Sequence, residues 1–163
     1  MARVQKSIDI NVPVQMAYNQ WTQFEQFPRI MDSVRSVVQL DDRRMTWHAR
    51  VANRDKFWDA EIEEQVPDQR IVWRSIEGPS NAGQVSFQPL EQGRSRVTLQ
   101  LSYKPQGIME KAGSAMGFVS RQVENDLGRF RDFIEAQPIE TGAYRDELPN
   151  PKAPGGHTRG NLN

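Results

Sequence analysis

Between Val34 and Tyr103 the chain breaks into six short runs of alternating apolar and polar residues, and directly afterwards its apolar period changes from two to between three and four. That switch constrains the fold more than any other feature, because a sheet and a long helix then follow one another with little chain left over to separate them. The runs are Val34–Leu40, Met45–Val51, Lys56–Val66, Arg70–Ile76, Gly83–Leu90 and Arg94–Tyr103. Turn chemistry divides them at Asp41-Asp42, Asn53 to Asp55, Pro67-Asp68, Gly78 to Asn81 and Glu91 to Gly93. Consecutive strands joined by turns this short predict an antiparallel meander. Beyond Pro105 and Gly107, residues Ile108, Ala112, Met116, Val119, Val123, Leu127, Phe130 and Ile134 recur three or four apart, the stripe of one long amphipathic helix.

The opening segment adds three smaller elements. Val4, Lys6, Ile8, Ile10 and Val12 share one parity against an all-polar partner set, which predicts a half-buried strand. Asn11 and Pro13 supply helix-start chemistry before Val14, Ala17, Tyr18 and Trp21. Phe24, Phe27, Ile30 and Met31 keep a helical spacing across Pro28, so a second brief helix or turn is expected before Val34. The order is β-α-α-β6-α, an α+β fold in which a curved seven-stranded antiparallel sheet wraps around the long C-terminal helix so that each buries the other's apolar face. Curvature of that kind leaves a concave volume of ligand size. The last helix suits it, since Ala112, Gly113, Ser114, Ala115 and Gly117 make its first half small while Leu127, Phe130, Phe133 and Ile134 make its second half bulky.

With 163 residues, the chain is long enough to bury a core without disulfides or structural metal. One domain is expected over residues 1–137. Residues 138–163 hold four Pro and four Gly without periodicity, and are expected to be a disordered tail. No Cys is present, which excludes thiolate catalysis and Cys-based zinc sites. Lys plus Arg and Asp plus Glu both number 21, with the basic residues scattered singly, so nucleic acid is a poor partner. No apolar run approaches the roughly 20 residues of a transmembrane span, and the first residues lack the plan of a secretion signal. A cytoplasmic location is expected.

Several local motifs now converge. Ile10-Asn11-Val12-Pro13 leads into Ala17-Tyr18 and Trp21, then Phe24, Phe27-Pro28 and Met31. Trp58-Asp59-Ala60-Glu61-Ile62, Pro67-Asp68-Gln69-Arg70-Ile71-Val72-Trp73-Arg74-Ser75, Gly78, Gly83-Gln84-Val85-Ser86-Phe87 and Asp126-Leu127-Gly128-Arg129-Phe130 follow. Over approximately Val4 to Glu135 the sequence resembles the polyketide cyclase/dehydrase group of the START-like (SRPBCC, Bet v 1-like) superfamily. The resemblance implies a helix-grip fold over a deep hydrophobic cavity. It also implies a lipid, sterol, polyketide, quinone or hormone as ligand, or in some members cyclisation, aromatisation or dehydration. These motifs carry fold membership rather than a reaction.

For the site itself, strand parity nominates Trp47, Trp58, Trp73, Phe87, Leu99, Leu101 and Tyr103 for the concave face, each also explicable as plain core. Ser75, Tyr103 and Ser114 are the polar groups expected to orient a ligand, and Ala112, Ala115, Met116 and Val119 the helix residues expected along the cavity. Of two histidines, His48 shares parity with Thr46 and Arg50 and is expected outside. Asp59, Glu61 and Glu63 lie opposite Trp58, Ala60 and Ile62, so the acids form an outer face on which Arg50, Arg70 and Arg74 can pair with them. No inward acid or histidine is identified, and neither a metal site nor a cofactor motif is found. The segment Gly78 to Gly83 reads as a hairpin loop, which the resemblance places at the cavity mouth. The leading expectation is binding of a hydrophobic small molecule. An aromatase/cyclase or dehydratase-type enzyme and an accessory protein-interaction module remain as alternatives, with the oligomeric state open.

Overall fold

The computed structural model describes residues 2–51, 53–104 and 114–137. Strand β1 (Ala2–Ile10) leads through Pro13 into helix α1 (Val14–Trp21), a single 3-10 turn (Phe24–Gln26) and the one-turn helix α2 (Phe27–Ile30). Pro28 sits in the first turn of α2, where its missing N–H has no intrahelical partner to lose. The meander then runs β2 (Val34–Gln39), β3 (Arg44–Val51), β4 (Arg54–Val66), β5 (Arg70–Glu77), β6 (Asn81–Pro89) and β7 (Ser95–Tyr103), followed by helix α3 (Ser114–Glu135). All seven strands form one antiparallel sheet in the order β1-β7-β6-β5-β4-β3-β2. The first two strands of the chain are therefore its two edges. The chain is the α+β, helix-gripping arrangement the period switch demands. The expected tail, residues 138–163, lies outside the described residues.

Two turns are tighter than the sequence pattern suggests. Asn53 takes the left-handed conformation at φ 65°, and Arg54 and Asp55 already belong to β4. Gly78, at φ 95°, makes the corner between β5 and β6, and Asn81, Ala82 and Gly83 are strand rather than loop. The Asn81 backbone N–H donates to Ser75 Oγ at 3.0 Å, fastening that hairpin.

The core lies between the concave face and the helices. Tyr18, Phe130, Ile10, Met45, Ile62, Ile71, Leu127, Ile134 and Val85 are fully buried. A row of edge-to-face rings runs through it, Phe130 to Trp21 at 5.0 Å, Trp21 to Phe27 at 5.2 Å and Phe27 to Trp47 at 5.8 Å. Such contacts add to burial because ring edges meet ring faces. One buried polar pair interrupts the apolar surroundings: Gln65 donates from Nε2 to Tyr18 Oη at 2.9 Å. Simple alternation would put Gln65 outside with Glu61 and Glu63. A bulge between Ile62 and Glu64 shifts the phase of β4 and turns it inward.

On the convex face the acids are solvated and paired. Glu61 and Glu63 both meet Arg74, Glu64 meets Arg70 at 2.7 Å, and Asp59 accepts from Thr46. Arg50 departs from the expected pairing. It binds Asp55, which follows from the register that sets these two residues opposite one another near the β3–β4 corner. His48 Nε2 is 3.1 Å from the same carboxylate, with its ring stacked on exposed Phe57. No helix among the described residues is long and apolar enough to cross a membrane.

Candidate functional site

One end of the concave face is filled by α1 and α2, and the other is not. The sheet presents Met45, Trp47, Ala49 and Val51 from β3, Trp58 and Ile62 from β4, Ile71 and Trp73 from β5, and Leu99, Leu101 and Tyr103 from β7. Trp21, Phe24, Phe27 and Met31 close the filled end, and Val119, Val123 and Asp126 of α3 form the opposite wall. They enclose a cavity of about 220 Å³. An apolar cavity of about 150 Å³ already takes up benzene, so this one has room for a body of one or two rings.

Parity and close approach shape the wall. Trp47 and Trp58 face each other across β3 and β4 in register, and their rings stack with centroids 6.0 Å apart and planes 2° from parallel. Trp73 lies across Gly83 of the neighbouring strand. A Cβ on Gly83 would collide with the Trp73 indole and stand 3.0 Å from Leu101 Cδ2, so glycine there is what lets the ring lie flat on β6.

Within this apolar wall three buried polar atoms have no partner among the described residues: Trp47 Nε1, Trp58 Nε1 and Asp126 Oδ1. Buried polar groups are nearly always hydrogen-bonded, so orphans clustered on one cavity call for an explanation in terms of what the cavity takes up. Asp126 is 6% exposed and receives the Ser33 hydroxyl on its other oxygen, Oδ2. Burial pushes its carboxyl above the ordinary aspartate value, and the Ser33 hydroxyl and backbone N–H together with the Gln122 side chain oppose the shift without cancelling it.

The nominated residues divide by depth. Trp47, Trp73, Leu99, Leu101, Tyr103 and Val119 line the cavity. Phe87 is in the core instead, edge-on to Tyr18 at 5.5 Å and to Trp21 at 6.2 Å, because α1 covers that part of β6. Ser75 holds the hairpin turn and is not among the lining residues. Ala112 lies outside the described residues, as do the side chains of Ser114, Ala115 and Met116. Asp126 is the residue that sequence reasoning missed. It was visible as the step between Val119, Val123 and Phe130, at i+7, i+3 and i−4, which puts it on the buried stripe of the helix.

Its ionisation gives a sign-definite test. A carboxyl whose folded pKa exceeds its unfolded value holds its proton more tightly when folded. That contribution to stability is full below roughly pH 4 and is lost as the pH rises through the folded value. Exposed carboxyls with the opposite shift also titrate: Asp9 is lowered chiefly by Arg96, Asp41 by the Arg43 backbone N–H, Asp55 by His48 and Glu64 by Arg70. The difference between Asp126→Asn and the parent removes them. The variant is expected to gain stability on the parent as the pH rises from about 4 to 7, because its neutral amide has no charge to bury while the parent's carboxyl ionises in a desolvated position. Thermal unfolding against pH measures this, and a variant less stable than the parent at pH 7 would show that the ionised carboxylate has a stabilising partner.

The chain's relatives share this architecture. A protein of Streptomyces lincolnensis described as an uncharacterised 17.2 kDa protein of the melC2–rnhH intergenic region is 44% identical over 146 residues, covering 89% of this chain and 97% of that protein. Among solved structures, the Zhui aromatase/cyclase from Streptomyces sp. R1128 superposes with a TM-score of 0.70 at 15% identity, over 82% of this chain and 93% of its own. A START superfamily protein from Mycobacterium smegmatis superposes with a TM-score of 0.68 at 12% identity, over 80% and 98%. At such identities these two likenesses speak for the fold alone. Residues 10–131, from the end of β1 through the buried half of α3, match the family described as polyketide cyclase / dehydrase and lipid transport, and the chain belongs to that family.

Proposed function

We propose that the protein binds a small hydrophobic molecule in the cavity between the sheet and α3. The single observation that supports this best is a cavity of about 220 Å³ walled by four tryptophans and by aliphatic side chains, with unpartnered polar atoms set into a largely apolar lining. Affinity would come from burying apolar ligand surface, at roughly 25 cal/mol per Å², and orientation from the few polar atoms. Because Trp47, Trp58 and Trp73 line the cavity, indole fluorescence reports occupancy directly. Titration with a neutral two-ring compound such as 2-naphthylmethanol is expected to change that fluorescence saturably, with one site by calorimetry. Absence of any saturable change up to the solubility limit, for this and a panel of single-ring and short-chain compounds, counts against the reading.

A second reading is an enzyme of the aromatase/cyclase or dehydratase type, and Asp126 is what favours it. A carboxyl whose hold on its proton is tightened by burial can donate that proton to a carbonyl or departing hydroxyl held beside it, while the walls fix a flexible substrate near its reactive conformer. In that case Asp126→Asn abolishes turnover while leaving binding intact. In the pure binding reading it alters affinity alone.

A further inference from the structure

Ser33 and Gln122, which border the apolar cavity beside Asp126, also border a second, more open hollow of about 400 Å³ lined mostly by charged and amide side chains. Arg35, Arg50 and Arg121 face this hollow against one carboxylate, Asp32. That carboxylate is already engaged, accepting from Arg129 at 2.8 Å and from Asn125 at 3.4 Å. Arg50 is likewise committed to Asp55. Arg35 on β2 and Arg121 on α3 make no ion pair among the described residues, so two uncompensated guanidinium groups border the hollow.

An apolar chamber for one or two rings that shares Ser33 and Gln122 with an arginine-bordered hollow suits a molecule with two ends. We propose that the ligand of the cavity is an anionic amphiphile, its hydrophobic body among Trp47, Trp58 and Trp73 and its carboxylate or phosphate head in the hollow between Arg35 and Arg121. The inference rests on the cavity being a binding site and adds the charge of what it binds. Guanidinium suits such a head, since its planar fork donates two parallel hydrogen bonds to a carboxylate or phosphate. A neutral ligand of equal body would leave both arginines solvated and gain nothing from them.

The test compares three probes with one body: 2-naphthylmethanol, 2-naphthoic acid and 2-naphthyl phosphate, titrated into the full chain and into an Arg35→Gln, Arg121→Gln double variant by calorimetry and indole fluorescence. At low salt at least one of the anions is expected to bind about tenfold more tightly than the alcohol, as one charge-assisted hydrogen bond allows, and the preference should shrink as salt rises. In the double variant the alcohol should bind as before and the anions no better than the alcohol. An alcohol that binds as tightly as both anions overturns the anionic head while leaving the cavity reading intact. A preference that survives in the double variant overturns the assignment to Arg35 and Arg121. No binding by any of the three removes the cavity reading and the head with it.

Discussion

Phe130→Ala is expected to lower the stability of the fold by about 3–5 kcal/mol, the largest effect of any single substitution considered for this chain. Phe130 is fully buried, faces inward from α3 and meets Trp21 edge-on at 5.0 Å. Truncation removes its burial and leaves a void that the surrounding rings cannot close, because Trp21 is held from its other side by Phe27 and Phe87. For a domain of this size each kcal/mol moves the melting temperature by roughly 2–4 °C, so the midpoint should fall by about 6–20 °C. Asp132→Ala, two residues along the same helix but with its side chain 70% exposed, is the control and should stay within about 0.5 kcal/mol. A Phe130→Ala loss below about 1 kcal/mol would mean that the helix is not held by its bulky half.

The second large effect concerns binding. Gly83→Ala places a methyl group where the Trp73 indole now lies. Backbone on β6 cannot retreat without breaking the ladder to β5 and β7, so the ring is expected to swing away from the sheet and into the cavity. Overpacking of this kind costs about 1–3 kcal/mol of stability. The larger consequence is steric: a cavity of about 220 Å³ cannot admit both the displaced indole and a two-ring ligand. Affinity for 2-naphthylmethanol should fall at least about tenfold while the protein stays folded, and calorimetry against the parent measures it. Unchanged affinity would show that the ligand sits away from Trp73. Gly78 makes a useful contrast, since its φ of 95° is demanded by a corner and a side chain there would strain the backbone and press on Phe57 and Trp58 from the turn rather than displace the Trp73 indole.

Strand parity reported correctly which side of the sheet most side chains occupy. What it could not report is depth. Trp47 and Phe87 carry the same inward signal, yet one borders empty space and the other is packed under α1, because the helices between β1 and β2 fill only one end of the concave face. Two further facts needed three dimensions. The bulge between Ile62 and Glu64 leaves no mark on composition but reverses every residue after it, which is how Gln65 comes to bond Tyr18. Ser75 looked like a ligand-orienting hydroxyl until the turn at Gly78 returned the Asn81 N–H to it. Asp126 was legible in principle, since helical spacing alone aligns it with Val119 and Val123. Its charge argued for an outward position, and its place in a family signature drew attention to the fold rather than to the cavity.

The strand order also governs how the molecule can come into being. Strands β2 to β7 each pair with a neighbour in sequence, so they can zip one hairpin at a time as the chain lengthens. β1 is different: its partner is β7, and Ala2 lies opposite Tyr103. During synthesis β1 is therefore made before the other six strands and used after them, and it must wait with Val4, Ile8 and Ile10 uncovered until nearly the whole sheet has emerged. Pairing across so long a loop is entropically slow, and it makes the joining of the chain's two halves the step at which aggregation or a chaperone can intervene.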